Sequence, residues 1–390
     1  MYETMSDHAL PEELIPFRDN VRRFVDRELR PFEQQVAREG RLPAEALATI
    51  TAKAKAAGFW MLDAPEELGG ADLGLLPLAI FWEELARTTA IPSRDHTMFG
   101  PNIGSILLSL EGEMRERYLM PVVRGEKTAC FAQTEPDAGS DAAAIRTRAV
   151  RTANGWKING VKRYITKAAT ADFAQVMAVT DPDKGARGGI SCFIVEMNTP
   201  GVTVGPAEAT MMGDAPYELV FEDVEIPAEN LVGKEGFGFD LAQRYLNHGR
   251  IRHGAHSCGA MARCLDMTVA YVKQRKTFGA ALSERQGVQW MLADGYTKLH
   301  ATRLMVHDAA AKLDRGQEAR VETFMAKITG VENGFKVIDD CMQLHGGMGL
   351  THETPLERYW RDLRSFRITE GPTEVLKTTM ARSILKQAGL

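Results

Sequence analysis

The chain has 390 residues, 44% hydrophobic and 25% charged, with a formal net charge of −5. That is the profile of a soluble globular protein long enough for two or three domains. There is no excess of Lys and Arg for a phosphate backbone, which excludes a nucleic-acid partner, and no run of about 18 apolar residues to span a membrane. The five cysteines (Cys130, Cys192, Cys258, Cys264, Cys341) lack the spacing of a disulfide framework or a zinc site. The start MYETMSDHALPEELIPF is acidic and has no apolar leader, so a reducing, cytoplasmic location is expected.

The first third reads as helix. Phe17, Val21, Phe24, Val25 and Leu29 recur at three or four residues, until Pro31 breaks the run. Apolar-rich stretches at Leu75–Leu85 and around Ile103–Leu110 look similar, with Gly69-Gly70, Pro92 and Pro101 between them. From about Thr128 the pattern becomes short β-branched and aromatic runs: GWKINGVKRYIT, FAQVMAVTD, GISCFIVEM, GVTVG and YELVFEDVEIP. Asn154-Gly155 and Asn159-Gly160 are hairpin dipeptides, so an antiparallel sheet or barrel is expected.

After GKEGFGFD the helical period returns. A helix near Arg250–Lys273 comes first, and Ser283–Gln286 is a capping box opening the next. That helix buries Val288, Leu292, Tyr296, Leu299, Val306, Ala310 and Leu313, and Gly316 ends it. A third carries Val321, Met325, Ile328, Val331, Phe335, Ile338 and Met342, and a fourth starts at Pro372. The expected fold is α+β: an all-helical domain over 1–127, an antiparallel β domain over 128–235, and a four-helix bundle over 236–390.

Several segments could carry chemistry. TEPDAGSD (134–141) offers the hydroxyls of Thr134 and Ser140 and a glycine that admits a ligand, or it is a plain Asp-Gly loop. RKTFG (275–279) supplies a forked donor and an aromatic ring, although Arg and Lys at a helix end also answer the macrodipole. QLHGGMGL (343–350) has more glycines than a helix end requires. His253 and His256 lie three apart without a carboxylate to complete a metal set, so they read as packing or polar surface, and His345 as structural. No metal site is expected. No G-x-S-x-G, P-loop or H-E-x-x-H occurs, which removes the common serine hydrolase, nucleoside triphosphatase and zincin readings. Glu370, in FRITEGPTEV, is a lone acid where extended backbone is expected to turn into a helix.

Together, FAQTEPDAGSD, NGVKRYIT, RKTFG with Gln286, QLHGGMGL and RDLRSFRITEG resemble the acyl-CoA dehydrogenase family of flavoproteins, in order and spacing, over nearly the whole chain. The resemblance implies FAD as cofactor, an acyl-CoA substrate, an electron-transfer flavoprotein as partner and a homotetramer. It implies flavin or acyl-CoA contacts for Phe131, Gln133, Thr134 and Ser140, and places Tyr164 and Thr166 beside the isoalloxazine ring. Arg275, Thr277 and Phe278, with Gln286, match residues that hold the FAD pyrophosphate and adenine of a neighbouring subunit, and Gln343, Gly346 and Gly347 match further contacts there. Arg250 matches an arginine near the active site and CoA, while Asn247 and Gly371 fall at substrate positions.

Glu370 matches the catalytic base, and its backbone N–H is implied to bind the thioester oxygen. Flanking apolar residues are expected to desolvate it and raise its pKa towards neutrality. The chain departs from the family's pattern in places. Pro372 stands where relatives often carry threonine, leaving Thr373 to supply that hydroxyl. Gly249 occupies an alternative base position, Asn247 replaces an acid and Tyr164 a tryptophan. An oxidase or an enoyl-CoA reductase would share the fold, and a non-catalytic relative would lack the base. Most such oxidases carry a further C-terminal domain, which favours the dehydrogenase. The acyl pocket is expected near Ile91–Leu107, with Ser93 and Gly100 giving no indication of its depth.

Overall fold

A computed structural model describes residues 10–91 and 96–387 of the chain. The nine N-terminal residues, read above as lacking a leader, and Ser93 of the expected pocket segment lie outside the described residues. Helices come first: α1 (Ile15–Phe24), α2 (Glu33–Glu39), α3 (Ala44–Ala56) and α4 (Leu75–Leu85). Eight strands follow: β1 (Ala129–Ala132), β2 (Arg148–Arg151), β3 (Gly155–Ile165), β4 (Phe173–Val179), β5 (Ile190–Glu196), β6 (Val202–Ala207), β7 (Tyr217–Pro227) and β8 (Leu231–Val232). The long α5 (Gly238–Gln274) leads to a small hairpin, β9 (Lys276–Thr277) and β10 (Ala280–Ala281). Then come α6 (Gln286–Asp314), α7 (Arg320–His345), α8 (Leu356–Phe366) and α9 (Thr373–Gln387). Two compact units result: the described residues up to Gly100 with those from Asn247, and Pro101–Leu246.

In the first unit, Val21, Phe24, Val25 and Leu29 are buried as their spacing requires. Pro31 does not end that run. The chain passes through a π turn (Val25–Leu29) and a 3₁₀ turn (Arg30–Phe32) before α2 begins, because a wider and then a tighter turn can absorb the missing N–H without stopping the helix. Phe24, Phe59, Phe81 and Phe99 pack edge-on or tilted at 5.1–6.0 Å. They join a core that continues through Ile251, Met261, Leu299, Val331 and Leu363, so the N-terminal helices and the C-terminal ones share one interior. Each such side chain contributes about 1.5–3 kcal/mol on full burial.

Among the described residues the C-terminal region holds five helices rather than four. The addition, α8, buries Leu356, Tyr359, Leu363 and Phe366 along one stripe. The expected capping box at Ser283–Gln286 does not form. Arg285 precedes α6 without a side-chain cap, and the Glu284 carboxylate instead accepts from Ala281 N–H at 3.0 Å.

In the second unit the strands run β6-β7-β3-β2-β4-β5-β8, with β1 beside β4. The sheet is mixed rather than antiparallel throughout, since β1 and β4 pair in parallel from Ala129↔Phe173 to Ala132↔Val176. Continuous apolar runs make β4 and β5 the buried centre. Asn154-Gly155 does turn β2 into β3, where Arg151 faces Trp156. Asn159-Gly160 instead sits inside β3 at a bulge opposite β7. There Gly160 (φ +151°) leaves room for Thr147, whose Oγ1 would lie 2.4 Å from an added Cβ, and Asn159 hydrogen-bonds Asp223.

Candidate active site

Glu370 lies between two helices, not after a strand. Phe366 ends α8, Ile368 and Thr369 N–H both donate to Ser365 O, and Thr373 N–H donates to Arg367 O as α9 starts. Glu370 takes a left-handed backbone (φ +55°), followed by Gly371 at φ +98°. For a glutamate that conformation costs about 1–3 kcal/mol and must be held by its surroundings.

Two buried cations hold it. Lys327 Nζ, from α7, donates to Thr369 O (2.6 Å) and Gly371 O (2.5 Å). Arg250 Nε, from α5, donates to the carbonyl between them, Glu370 O (3.1 Å), while its Nη1 donates to Asn247 Oδ1 (2.9 Å) and its plane lies over Phe324. Three successive carbonyls are thereby satisfied. Burial lowers the pKa of Lys327 to about 8 and of Arg250 to about 10, against the opposing pull of Glu370.

The Glu370 carboxylate rests over Gly249 of α5, where an added Cβ would fall 1.8 Å from Oε2. Gly249 is therefore the seat of the carboxylate. His253 Nδ1 approaches Oε2 to 3.1 Å and Arg252 Nη2 approaches Oε1 to 3.5 Å, with the carboxylate side chain 21% exposed. Burial alone would raise the pKa, but His253, Arg252 and Lys327 outweigh it and bring it down to about 2. The expected rise towards neutrality is not found, because the acid is surrounded by cations and a histidine rather than an apolar casing.

His253 is thus neither surface nor simple packing. It is 5% exposed, its ring lies 4.2 Å from that of Phe366, and Nε2 is 3.5 Å from Thr369 Oγ1. Its position four residues after Gly249, on the same helix face, was the available signal. Lys327 gave none, since it lies among the apolar positions of α7 and only the fold shows it to be buried. Thr373 is buried with its hydroxyl unpartnered. Among the described residues no group of His, Cys, Asp and Glu could hold a metal ion, and all five cysteines are buried free thiols.

In the second unit, Phe131 on β1 stacks on Tyr245 at 5.0 Å. Gln133 is buried with its side-chain amide nitrogen unpartnered, and its main-chain carbonyl accepts from Lys162 Nζ (3.0 Å). Glu135, not singled out by sequence, pins this segment: its carboxylate accepts from Lys162 Nζ (2.8 Å), Arg146 N–H (2.6 Å) and Thr147 N–H (2.9 Å). Burial draws the Lys162 pKa down to about 8 against the pull of Glu135. Thr134 is half-buried and Ser140 exposed beyond it. Tyr164, near the end of β3, has φ +59° and a ring 53% exposed, and Thr166 follows half-buried.

The remaining predicted residues gather at the far end of α5. Arg275 and Gln286 are exposed, and Thr277 O accepts from Arg285. Phe278 and Gly279 form the turn of the β9–β10 hairpin, with Phe278 99% exposed at φ +50°. Gln343, Gly346 and Gly347 are exposed at the end of α7, which Tyr271 joins to α5 by stacking on His345 at 4.4 Å. Gly346 has a positive φ, whereas at Gly347 an added Cβ would meet nothing within 4 Å, so packing does not explain the second glycine. From Arg250 to Gln274 a helix advances about 36 Å. One chain therefore does not bring Glu370 and this hairpin together.

Known proteins match throughout. Profiles described as the N-terminal, middle and C-terminal domains of acyl-CoA dehydrogenase cover residues 11–126, 130–224 and 236–385. "Probable acyl-CoA dehydrogenase FadE25" of Mycobacterium tuberculosis is 37% identical over 97% of this chain and 96% of that protein. Acryloyl-CoA reductase (NADH) of Anaerotignum propionicum is 35% identical over 98% and 96%. A solved structure, "PigA with FAD and proline", superposes with a TM-score of 0.85 at 29% identity, covering 96% of this chain and 98% of that one. The helical, sheet and helical segments described above are the three parts of a single known architecture, and the chain belongs to the acyl-CoA dehydrogenase family of oxidoreductases.

Proposed function

We propose that the protein is an FAD-dependent acyl-CoA dehydrogenase whose Glu370 takes the α proton from an acyl-CoA thioester, giving the trans-2-enoyl-CoA, with electrons passing on to an electron-transfer flavoprotein. The carrying observation is Glu370 itself, a carboxylate fixed in a left-handed turn by bonds to three consecutive carbonyls. Held charged at neutral pH by its neighbours, it is in the form a proton acceptor needs. Displacement of water from its exposed edge by an acyl chain would raise its affinity for the proton. The turn also fixes the direction of the Glu370 N–H, which supports its role as donor to the thioester oxygen.

FAD fits the residues present. In the second unit an unpartnered Gln133 amide, the hydroxyls of Thr134, Ser140 and Thr166, and the exposed ring of Tyr164 suit a planar polar ring system. Arg275, Thr277, Phe278 and Gln286, with Gln343, Gly346 and Gly347, suit a pyrophosphate and adenine, and the uncovered Phe278 ring supports contribution to another subunit's site in a homotetramer. The likeness to PigA with FAD supports the same cofactor. When bound, FAD supplies the acceptor for the β hydride. Asn247 and Gly371 are read as shaping the substrate side of the turn, and Thr373 as a cofactor hydroxyl.

The test is Glu370→Gln. Bound FAD is expected to stay, and anaerobic bleaching of the flavin by a saturated acyl-CoA to slow by about 100-fold or more. A variant that bleached at the parent rate would remove Glu370 from the mechanism. The similarity to acryloyl-CoA reductase favours one second reading, the reverse reaction. Reoxidation of the reduced protein by enoyl-CoA, without bleaching by any saturated thioester, would select it.

A further inference from the structure

We infer that His253 is a positioning residue for the proton acceptor: through Nδ1 it holds Glu370 Oε2 in the hollow over Gly249, leaving Oε1 to receive the substrate's proton. The inference rests on the reading of Glu370 as base.

Four observations carry it. The ring nitrogen and the carboxylate oxygen are 3.1 Å apart, at an angle outside hydrogen-bond geometry, and both are buried with no other hydrogen-bond partner. The hollow exists only because residue 249 has no side chain, since a Cβ there would occupy the place of Oε2. The ring is 5% exposed and packed on Phe366, so it cannot swing to solvent. Its other nitrogen faces Thr369 Oγ1, which makes the histidine touch both the base and the residue before it.

The tautomer follows from these partners. A carboxylate oxygen can only accept, so Nδ1 carries the proton, and Nε2 accepts from the Thr369 hydroxyl. The charged groups facing Glu370 are Arg252 and Arg250 on α5 and Lys327 on α7. A second proton on His253 would add a further positive charge to a buried ring, and burial already lowers its proton affinity. The ring is therefore a neutral donor at pH 7. Arg252 differs: its side chain is 37% exposed and its contact to Oε1 is long, so it adds charge without fixing an orientation.

Three substitutions separate this from plain packing. His253→Asn places an amide N–H where Nδ1 stood, His253→Gln places it nearer Nε2, and His253→Phe keeps the volume with no donor. In each, bound flavin per protein, melting temperature, and the pH profile of anaerobic flavin reduction by a saturated acyl-CoA are measured. His253→Phe and His253→Gln are expected to reduce about 10- to 100-fold more slowly with KM little changed, and His253→Asn to recover most of the rate. Because an N–H dipole beside a carboxylate favours its charged form, removing it raises the Glu370 pKa, and the acid limb of the profile moves to higher pH in the Phe variant.

A Phe variant with the parent rate and acid limb, or an Asn variant no better than Gln, overturns the inference. If the Phe variant fails to fold, the Asn and Gln pair decides. Glu370→Gln run alongside keeps the two readings apart. If it still reduces, the base assignment fails; if it is dead while the histidine variants are unaffected, only the role of His253 does.

Discussion

At the scale of single residues, Gly249 carries two opposed demands. In the interior of a helix a glycine costs about 0.8–1.0 kcal/mol relative to alanine. Over α5, however, the missing side chain is the space the Glu370 carboxylate fills. Gly249→Ala is therefore expected to keep or raise the melting temperature while flavin reduction falls to the level of Glu370→Gln, because the carboxylate is driven off its seat. Reduction at the parent rate would show that Oε2 has another place to go. Gly249 drew notice in the sequence only as the alternative base position, where a glycine leaves Glu370 as the sole candidate. That it makes the room for Glu370 is a contact between residues 121 positions apart, which no local pattern carries.

At the scale of elements, the β9–β10 hairpin leaves its largest side chain outside its own fold. Phe278 is almost fully exposed in a left-handed conformation, so Phe278→Ser removes no interior contact and should leave the melting temperature unchanged within about 0.5 kcal/mol of stability. It should lower the flavin-to-protein ratio after gel filtration; an unchanged ratio would withdraw the adenine role. Elements with long, regular periods, such as α6 and α7, were legible from spacing alone, whereas α5 begins at Gly238, twelve residues before the helix expected near Arg250–Lys273. Those that depend on partners were not. α8 has only eleven residues and reads as a charged segment until its apolar stripe meets the core. Asn159-Gly160 satisfies a hairpin rule but serves a bulge, because its neighbour is β7, some sixty residues on. Pro31 satisfies a breaker rule, yet the chain resumes as α2 after a π turn. The turn at Glu370 read as strand-like because Ile and Thr favour strands, whereas bonds to Ser365 O close it as a helical return.

At the scale of the whole molecule, α5 runs for 37 residues, about 55 Å, with the Glu370 turn beside its first half and the hairpin at its end. Under the proposed reading each chain lends its far end to another chain's cofactor, so flavin content should follow assembly. On dilution or mild chaotrope, loss of FAD should coincide with dissociation in sedimentation experiments, ahead of unfolding. FAD held one-to-one by a monomer would contradict this.

The clamp on the Glu370 turn has a further consequence. Lys327 and Arg250 grip the main-chain oxygens of residues 369 to 371, which every residue type supplies. The turn is thus a socket whose shape is independent of what is plugged into it. Changes at position 370 should read out as chemistry with little loss of architecture, while damage to either cation would deform the socket whichever acid it holds.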